Sequence, residues 1–207
     1  MISSETTLPR LHRALQIVMG WENCHLHEFR IAGNVYAEPD PEDHHFGRAV
    51  IDERRVRLGK LLLAGGESTF QYIYDFGDNW RHDILVESIV PRRPAKRYPV
   101  CIAGERSAPP EDVGGMGGYH RYLEALFDPK HRNHRALLAW RGRFDPEYFP
   151  ITSVNKTLRE AFPVPSRKVQ SSARATFEED FDTIVRSIIR SGRLPPQRLI
   201  RGKPIGG

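Results

Sequence analysis

An α+β fold, with an antiparallel or mixed sheet packed against several helices and a C-terminal helical appendage, is the architecture this sequence predicts. Two alternating runs, Phe70-Tyr72-Tyr74 and Trp80-His82-Ile84-Val86, flank the turn residues Gly77-Asp78-Asn79 and read as a hairpin with one buried face. Strand patterns gather early in the chain and helical patterns late, which is the α+β order. Hydrophobic content of 39% over 207 residues supplies a core without covalent staples. Only Cys24 and Cys101 occur, too few for a disulfide framework, so both read as thiols.

Taken in order, Leu8, Leu11, Leu15 and Val18 recur at helical spacing, with Pro9 in the first turn and Gly20 as terminator, so residues 8–19 predict a helix. His27, Phe29 and Ile31 alternate with Glu28 and Arg30 as a strand ending at Gly33-Asn34, and Val35-Tyr36 continue after a turn. Residues 38–48 are acidic, histidine-bearing and broken by proline, hence a surface loop. Residues 54–64 read as a short helix closing at Gly65-Gly66, and Tyr98 to Ile102 as a further short strand after the hairpin. A glycine-rich loop from Pro109 to Gly118 then leads into helical segments near 119–127, 130–140 and 154–162.

The α+β domain is placed at 1–162. Residues 163–175, rich in Pro, Ser, Arg and Lys without periodicity, carry a linker signature. Residues 176–191 read as an amphipathic helix, because Phe177, Phe181, Ile184 and Ile188 share one helical face behind Thr176 as N-cap. Residues 192–207 read as a basic, disordered tail.

The formal charge of +5 favours phosphate-rich partners, and the basic residues cluster. Arg92, Arg93, Lys96 and Arg97 stand in one proline-flanked loop, and Arg186, Arg190, Arg193, Arg198, Arg201 and Lys203 form the nucleic-acid contact set, weighed against an ordinary solvated face. No apolar run approaches the roughly 20 residues of a membrane span, and the N-terminus lacks a secretory pattern. A cytoplasmic protein without membrane contact is expected.

Polar chemistry concentrates in two places. Asp75, Asp78 and His82 surround the hairpin turn, where they could hold a divalent cation or share a proton; Asp and Asn are also what a tight turn uses to satisfy its amides. Glu111 and Asp112 precede Gly114-Gly115, where they would repel phosphate and read as helix caps or partners of a cation or arginine. The loop is no Walker loop, since no Gly-Lys-Ser or Gly-Lys-Thr follows. Structural capping is the reading these neighbours favour. Cys24-His25-Leu26-His27 invites a zinc reading with Cys101, but the spacing fits no common pattern, and a strand there would set Cys24 opposite His25 and His27. His131 and His134 lack the glutamate and spacing of a zincin motif. No residues are therefore assigned as metal ligands and no cofactor is specified.

Several ordered blocks, Leu11-His12 to Gly20-Trp21, His25-Leu26-His27-Glu28-Phe29, Tyr74 to His82, Tyr98-Pro99 to Gly104, Pro109-Pro110-Glu111-Asp112 with Gly114-Gly115 and Gly118-Tyr119, and Phe144-Asp145-Pro146, make residues from about Leu8 to Phe149 resemble the plasmid pRiA ORF-three-like family. Its members are also described as transposon passenger proteins of TnpR type. The resemblance implies a compact α+β domain and a habitat on plasmids and mobile elements, and implies no activity. Neither the serine nor the tyrosine recombinase constellation is recognisable. Members commonly carry cysteine where this chain has Val113, so any pairing or shared ligation with Cys101 is lost, and members tend to begin with a strand that Met1 to Thr7 would have to replace. The edge left by that strand would be covered by the C-terminal helix or by a second subunit in a homodimer.

The leading expectation is a non-enzymatic accessory protein of a mobile element, contacting nucleic acid through its appendage. The alternative is a metal-dependent enzyme whose site gathers Asp75, Asp78, His82, Glu111 and Asp112. A third is a small binding domain that uses the glycine loop for a ligand.

Overall fold

The protein is described by a computed structural model covering residues 1–39, 47–65, 68–91, 93, 96–163 and 181–189, with 63–65 and 181–189 described as backbone only. Twelve regular elements follow in chain order: β1 (Ile2–Ser3), α1 (Leu8–Met19), β2 (His27–Ile31), β3 (Asn34–Ala37), β4 (Ile51–Asp52), α2 (Leu58–Gly65), β5 (Thr69–Tyr74), β6 (Trp80–Pro91), α3 (Gly115–Phe127), α4 (His134–Arg141), α5 (Ile151–Ala161) and β7 (Phe181–Ile189). A 3-10 turn at Glu53–Arg55 precedes α2. The strands form one sheet in the order β1-β7-β6-β5-β2-β3-β4. Every pairing is antiparallel except β3 with β4, so the sheet is mixed.

Helix α1 forms where the apolar spacing places it. Gly20, with φ +72°, closes it, and the amides of Gly20 and Trp21 return to the Ile17 and Gln16 carbonyls. Leu8, Leu11 and Leu15 bury against the sheet beside Phe29, Tyr72 and Leu58, each worth about 1.5–3 kcal/mol over exposure. The other flank of α1 carries Ala14, which meets Val154, Leu158 and Phe162 of the α5 segment. Arg10 and Arg13 lie over the Phe162 ring at 4.9 and 5.7 Å, covering that seam with their stems.

The hairpin β5/β6 pairs Tyr74 with Trp80 and Tyr72 with His82. On the other edge of β5, Tyr72 faces Phe29 and Tyr74 faces His27. One sheet face thus carries a continuous row of rings: Phe29 to Tyr72 at 5.0 Å, Tyr72 to His82 at 5.6 Å, and Trp21 stacked on Tyr74 at 4.9 Å.

Two expected elements differ. Residues 181–189 are a strand, not the central part of an amphipathic helix, and pair with β6 from His82↔Ile189 to Pro91↔Phe181. β5 engages β6 only between Trp80 and Leu85, so half of the twelve-residue strand would otherwise lack a ladder partner on either edge. The β-branched series Thr183, Ile184, Val185, Ile188 and Ile189 suits a pleated neighbour better than a helix, and edge pairing outweighs the helical period. Ile2 and Ser3 then pair with Thr183 and Asp182, so the chain start extends the sheet through β7. The proposed linker 163–175 lies, except for Pro163, outside the described residues, as do 176–180 and everything from Arg190 onward.

The strand expected at Tyr98 to Ile102 does not form. Pro99 has no amide to give a ladder, and this stretch is held by other partners: Val100 exchanges backbone bonds with Met1, and Asn155 of α5 brackets Cys101 through its amide and carbonyl at 2.9 and 2.8 Å.

Candidate functional site

The site is assembled where three non-regular segments meet: the approach to β2 (residues 22–26), the β5/β6 turn (75–79), and the loop before α3 (109–114). Each is fixed by its own hydrogen bonds. In the turn, Asp75 adopts φ +55° and its Oδ1 accepts the amides of Gly77 and Asp78 at 2.9 and 3.2 Å, while its own amide donates to the Leu26 carbonyl. Asp78 Oδ2 accepts the Gly114 amide at 3.1 Å. Gly115 sits so close that a Cβ there would stand 2.8 Å from the Asp78 carbonyl oxygen, and its φ is +64°. The turn therefore carries the start of α3, and with it Glu111 and Asp112.

Glu111 is buried. Its Oε2 accepts the Glu22 amide at 2.8 Å and its Oε1 accepts the Tyr74 hydroxyl at 2.8 Å, while Arg141 donates to its carbonyl at 3.1 Å. Tyr74 in turn accepts the Cys24 amide at 3.1 Å. Burial, and then the Glu111 carboxylate, push the Tyr74 phenol far above the ordinary tyrosine range, so it stays a donor to Glu111. Trp21 Nε1 donates to the Pro109 carbonyl at 2.9 Å and ties the loop to the end of α1.

A buried polar relay fixes the remaining side. Gln16 donates to the Tyr72 hydroxyl at 3.0 Å, Tyr72 bonds His12 Nδ1 at 2.8 Å, and His12 Nε2 bonds Asn23 Oδ1. Desolvation first, then the adjacent His27, hold His12 down to about 3, so a neutral imidazole accepts from Tyr72 and donates to Asn23. The His27 ring stacks on His12 at 3.5 Å and its Nε2 meets the buried Glu53 at 3.0 Å. Asn23, at φ +57°, is thereby held in the corner that turns Cys24 and His25 toward the carboxylates.

His25 is the hub. Its Nε2 lies 2.8 Å from Asp112 Oδ1, 3.7 Å from Asp75 Oδ2 and 3.8 Å from Glu111 Oε1. Two overlapping groups result, Cys24-His25-Glu111 and His25-Asp75-Asp112, in each of which the ligand atoms lie within 4.8 Å of one another. Ligand atoms bound at about 2.1 Å to one tetrahedral ion stand about 3.4 Å apart, so these separations suit a single divalent cation. Asp75 divides its oxygens as metal-ligating carboxylates do: Oδ1 is held by backbone amides and Oδ2 faces the hub. Three carboxylates around one imidazole repel one another, and a cation relieves that repulsion. Desolvation and the neighbouring Glu111 push the exposed Cys24 thiol up, so in the absence of a cation it keeps its proton.

Asp75, Glu111 and Asp112 therefore come together. Asp78 stands beside them, occupied with Gly114. His82 is elsewhere: it is fully buried between Trp21, edge-on at 5.4 Å, and Tyr72, and neither ring nitrogen has a hydrogen-bond partner among the described residues. Desolvation holds it down to about 4. Strand parity would set Cys24 opposite His25 and His27, but β2 begins only at His27, so alternation does not apply to Cys24 and His25. The signal was the Cys24-His25-Leu26-His27 run itself. Cys101 belongs to the α5 side and donates to the Ala103 carbonyl; His134 bonds the Ala125 carbonyl and His131 accepts the Asn133 amide. Of the basic set, Arg186 lies opposite Leu85 in β7, and Arg190, Arg193, Arg198, Arg201 and Lys203 lie outside the described residues.

Among the described residues no helix is long and apolar enough to cross a membrane. The chain is 43% identical over 138 residues to the uncharacterized protein y4hQ of Sinorhizobium fredii, covering 67% of this chain and 69% of the relative. It is also similar to the crystal structure of MM3350, a protein of unknown function from Methanosarcina mazei, with a TM-score of 0.64, 35% identity, and coverage of 73% of this chain and 84% of that one. The model of the plasmid pRiA4b ORF-3-like proteins matches residues 1–153, and the chain belongs to that family.

Proposed function

We propose that this family member is a divalent-metal-binding protein, whose ion is held by His25 Nε2 together with one oxygen from each of Asp75 and Asp112, with Glu111 and Cys24 beside them. The observation that carries the reading is the convergence of carboxylate oxygens from two separate loops on one imidazole nitrogen at 2.8–3.8 Å. A mixed nitrogen and oxygen set with a thiol at hand favours a borderline ion such as Zn²⁺ over Mg²⁺ or Ca²⁺. Asp112 is exposed and His25 half-buried, so the ion would keep a solvent-facing position, the arrangement of sites that bind or activate a further ligand. Elemental analysis of the purified protein tests this: about one equivalent of a transition metal, lost in His25→Ala, is expected. A parent protein free of metal after expression in zinc-supplemented medium would argue against it.

A second reading, an accessory protein of a plasmid or mobile element that touches nucleic acid through Arg186 and the basic residues beyond it, is supported by the family and by the arginine clustering. Truncation at residue 175 would remove β7 from the sheet, so the test is charge neutralisation: Arg193, Arg198, Arg201 and Lys203 to glutamine should abolish salt-sensitive retention on a heparin or DNA matrix. Unchanged retention would count against this reading.

A further inference from the structure

A cavity of about 360 Å³, lined in part by Asp112 of the His25 cluster, opens between α3 and α4. Its walls carry Arg121 and Tyr122 of α3, His131 and Arg132 of the connecting turn, and Trp140 of α4. We propose that it is a binding site for a small phosphate monoester bearing an aromatic ring. The proposal stands on this cavity alone and goes beyond the metal reading.

Charge is the first argument. Arg121 and Arg132 line one small space, and no carboxylate partner for either is found among the described residues. Arg121 folds back over the glycines that open α3, where a Cβ at Gly117 would lie 3.4 Å from its Nη1. His131 accepts the Asn133 amide on Nδ1, which leaves Nε2 as a donor. Two carboxylates also line the wall, Asp112 at 2.8 Å from His25 and Glu124 at 3.3 Å from His120.

The second argument is the wall itself. Tyr122 lines the same space and is otherwise buried. Trp140 is 45% exposed although its ring packs edge-on to Tyr122 at 6.0 Å and under Arg141 at 4.8 Å. An exposed indole at the rim of a cationic cavity is suited to a flat ring attached to an anion. The volume sits at the small end of ligand sites, which fits a one-ring ester and excludes a dinucleotide.

The test uses the full-length protein stripped of metal with a chelator, so that its outcome does not depend on the metal reading. Calorimetric titration with phenyl phosphate should show saturable one-site binding, with phenol and inorganic phosphate each weaker by roughly tenfold or more. Arg121→Gln and Arg132→Gln should each weaken phenyl phosphate about tenfold with the melting temperature unchanged. Trp140→Leu, at an exposed position, should weaken phenyl phosphate and leave inorganic phosphate unaffected. Absence of saturable binding by the folded parent, or arginine variants that bind like the parent, would overturn the proposal. Equal affinity for inorganic phosphate and phenyl phosphate would overturn the aromatic part of the ligand assignment.

Discussion

His82 offers a titration whose sign and size follow from its surroundings. The imidazole is fully buried against Trp21 and Tyr72, and desolvation holds it from 6.5 down to about 4 against a small opposing pull from Asp83. The fold therefore keeps a neutral ring where the unfolded chain takes up a proton. Stability is complete above the unfolded value of 6.5 and is lost progressively as pH falls toward about 4. One pKa unit corresponds to about 1.36 kcal/mol, so lowering the pH from about 7.5 to about 5 costs the fold about 2 kcal/mol through His82 alone. For a chain of this size that is about 4–8 °C in Tm. His12, held to about 3, adds a loss of the same sign. The informative variant is His82→Leu, which replaces two ring nitrogens without a hydrogen-bond partner among the described residues with an apolar side chain of similar volume. Urea unfolding followed by tryptophan fluorescence at the two pH values should show the variant losing about 2 kcal/mol less than the parent between them. Identical losses in parent and variant would mean that the ring is accessible to protons in the folded state and that burial does not hold it neutral.

Tyr74→Phe removes the donor to Glu111 and the acceptor of the Cys24 amide; a loss of about 1–3 kcal/mol in chemical denaturation is expected, with weaker metal retention, since two of its consequences fall on the cluster. Gly118→Ala would place a Cβ 1.9 Å from the Val113 carbonyl oxygen at the start of α3, so a loss of about 2–4 kcal/mol in the same assay is expected. Backbone carbon chemical shifts over 181–189 should be extended in sign throughout; helical shifts there would contradict the pairing of β7 with β6.

The elements legible in the sequence are those whose local signals agree with their tertiary setting. In α1, the spacing of Leu8, Leu11 and Leu15 and the stop at Gly20 say the same thing, and the β5/β6 hairpin has alternation on both sides of a turn whose residues take the positive φ that Asp75 and Asn79 show. Residues 181–189 were not legible because Phe181, Ile184 and Ile188 satisfy a helical period, while the open edge of β6 that claims them is a property of the assembled sheet. At the site, the capping by Asp75 was readable from its turn neighbours, and it accepts the Gly77 amide; Glu111, expected to cap the helix after the glycines, instead accepts the distant Glu22 amide, while Asp78 takes the Gly114 amide at the start of α3. The second oxygens of Asp75 and Glu111, and the entry of His25 between them, depend on long-range closure. His25 is 87 residues from Asp112, and the Asn23 corner, held by His12 and Gln16, together with the Asp78 hold on Gly114, brings them together.

The metal reading is tested most directly at His25, because among the described residues that side chain caps no backbone amide and its one short polar contact is with Asp112, so its removal leaves the loops' own hydrogen bonds intact. Asp75 and Glu111 lack this property, since alanine at either also strips amide partners. Chelator-treated parent and His25→Ala are melted with and without Zn²⁺ at about a hundredfold excess over the dissociation constant, where one bound ion adds about 2.7 kcal/mol. Similar melting temperatures are expected for the two apo proteins, with a rise of several degrees on adding zinc in the parent alone. Equal responses to zinc in parent and variant, whether both rise or neither does, would contradict the metal reading.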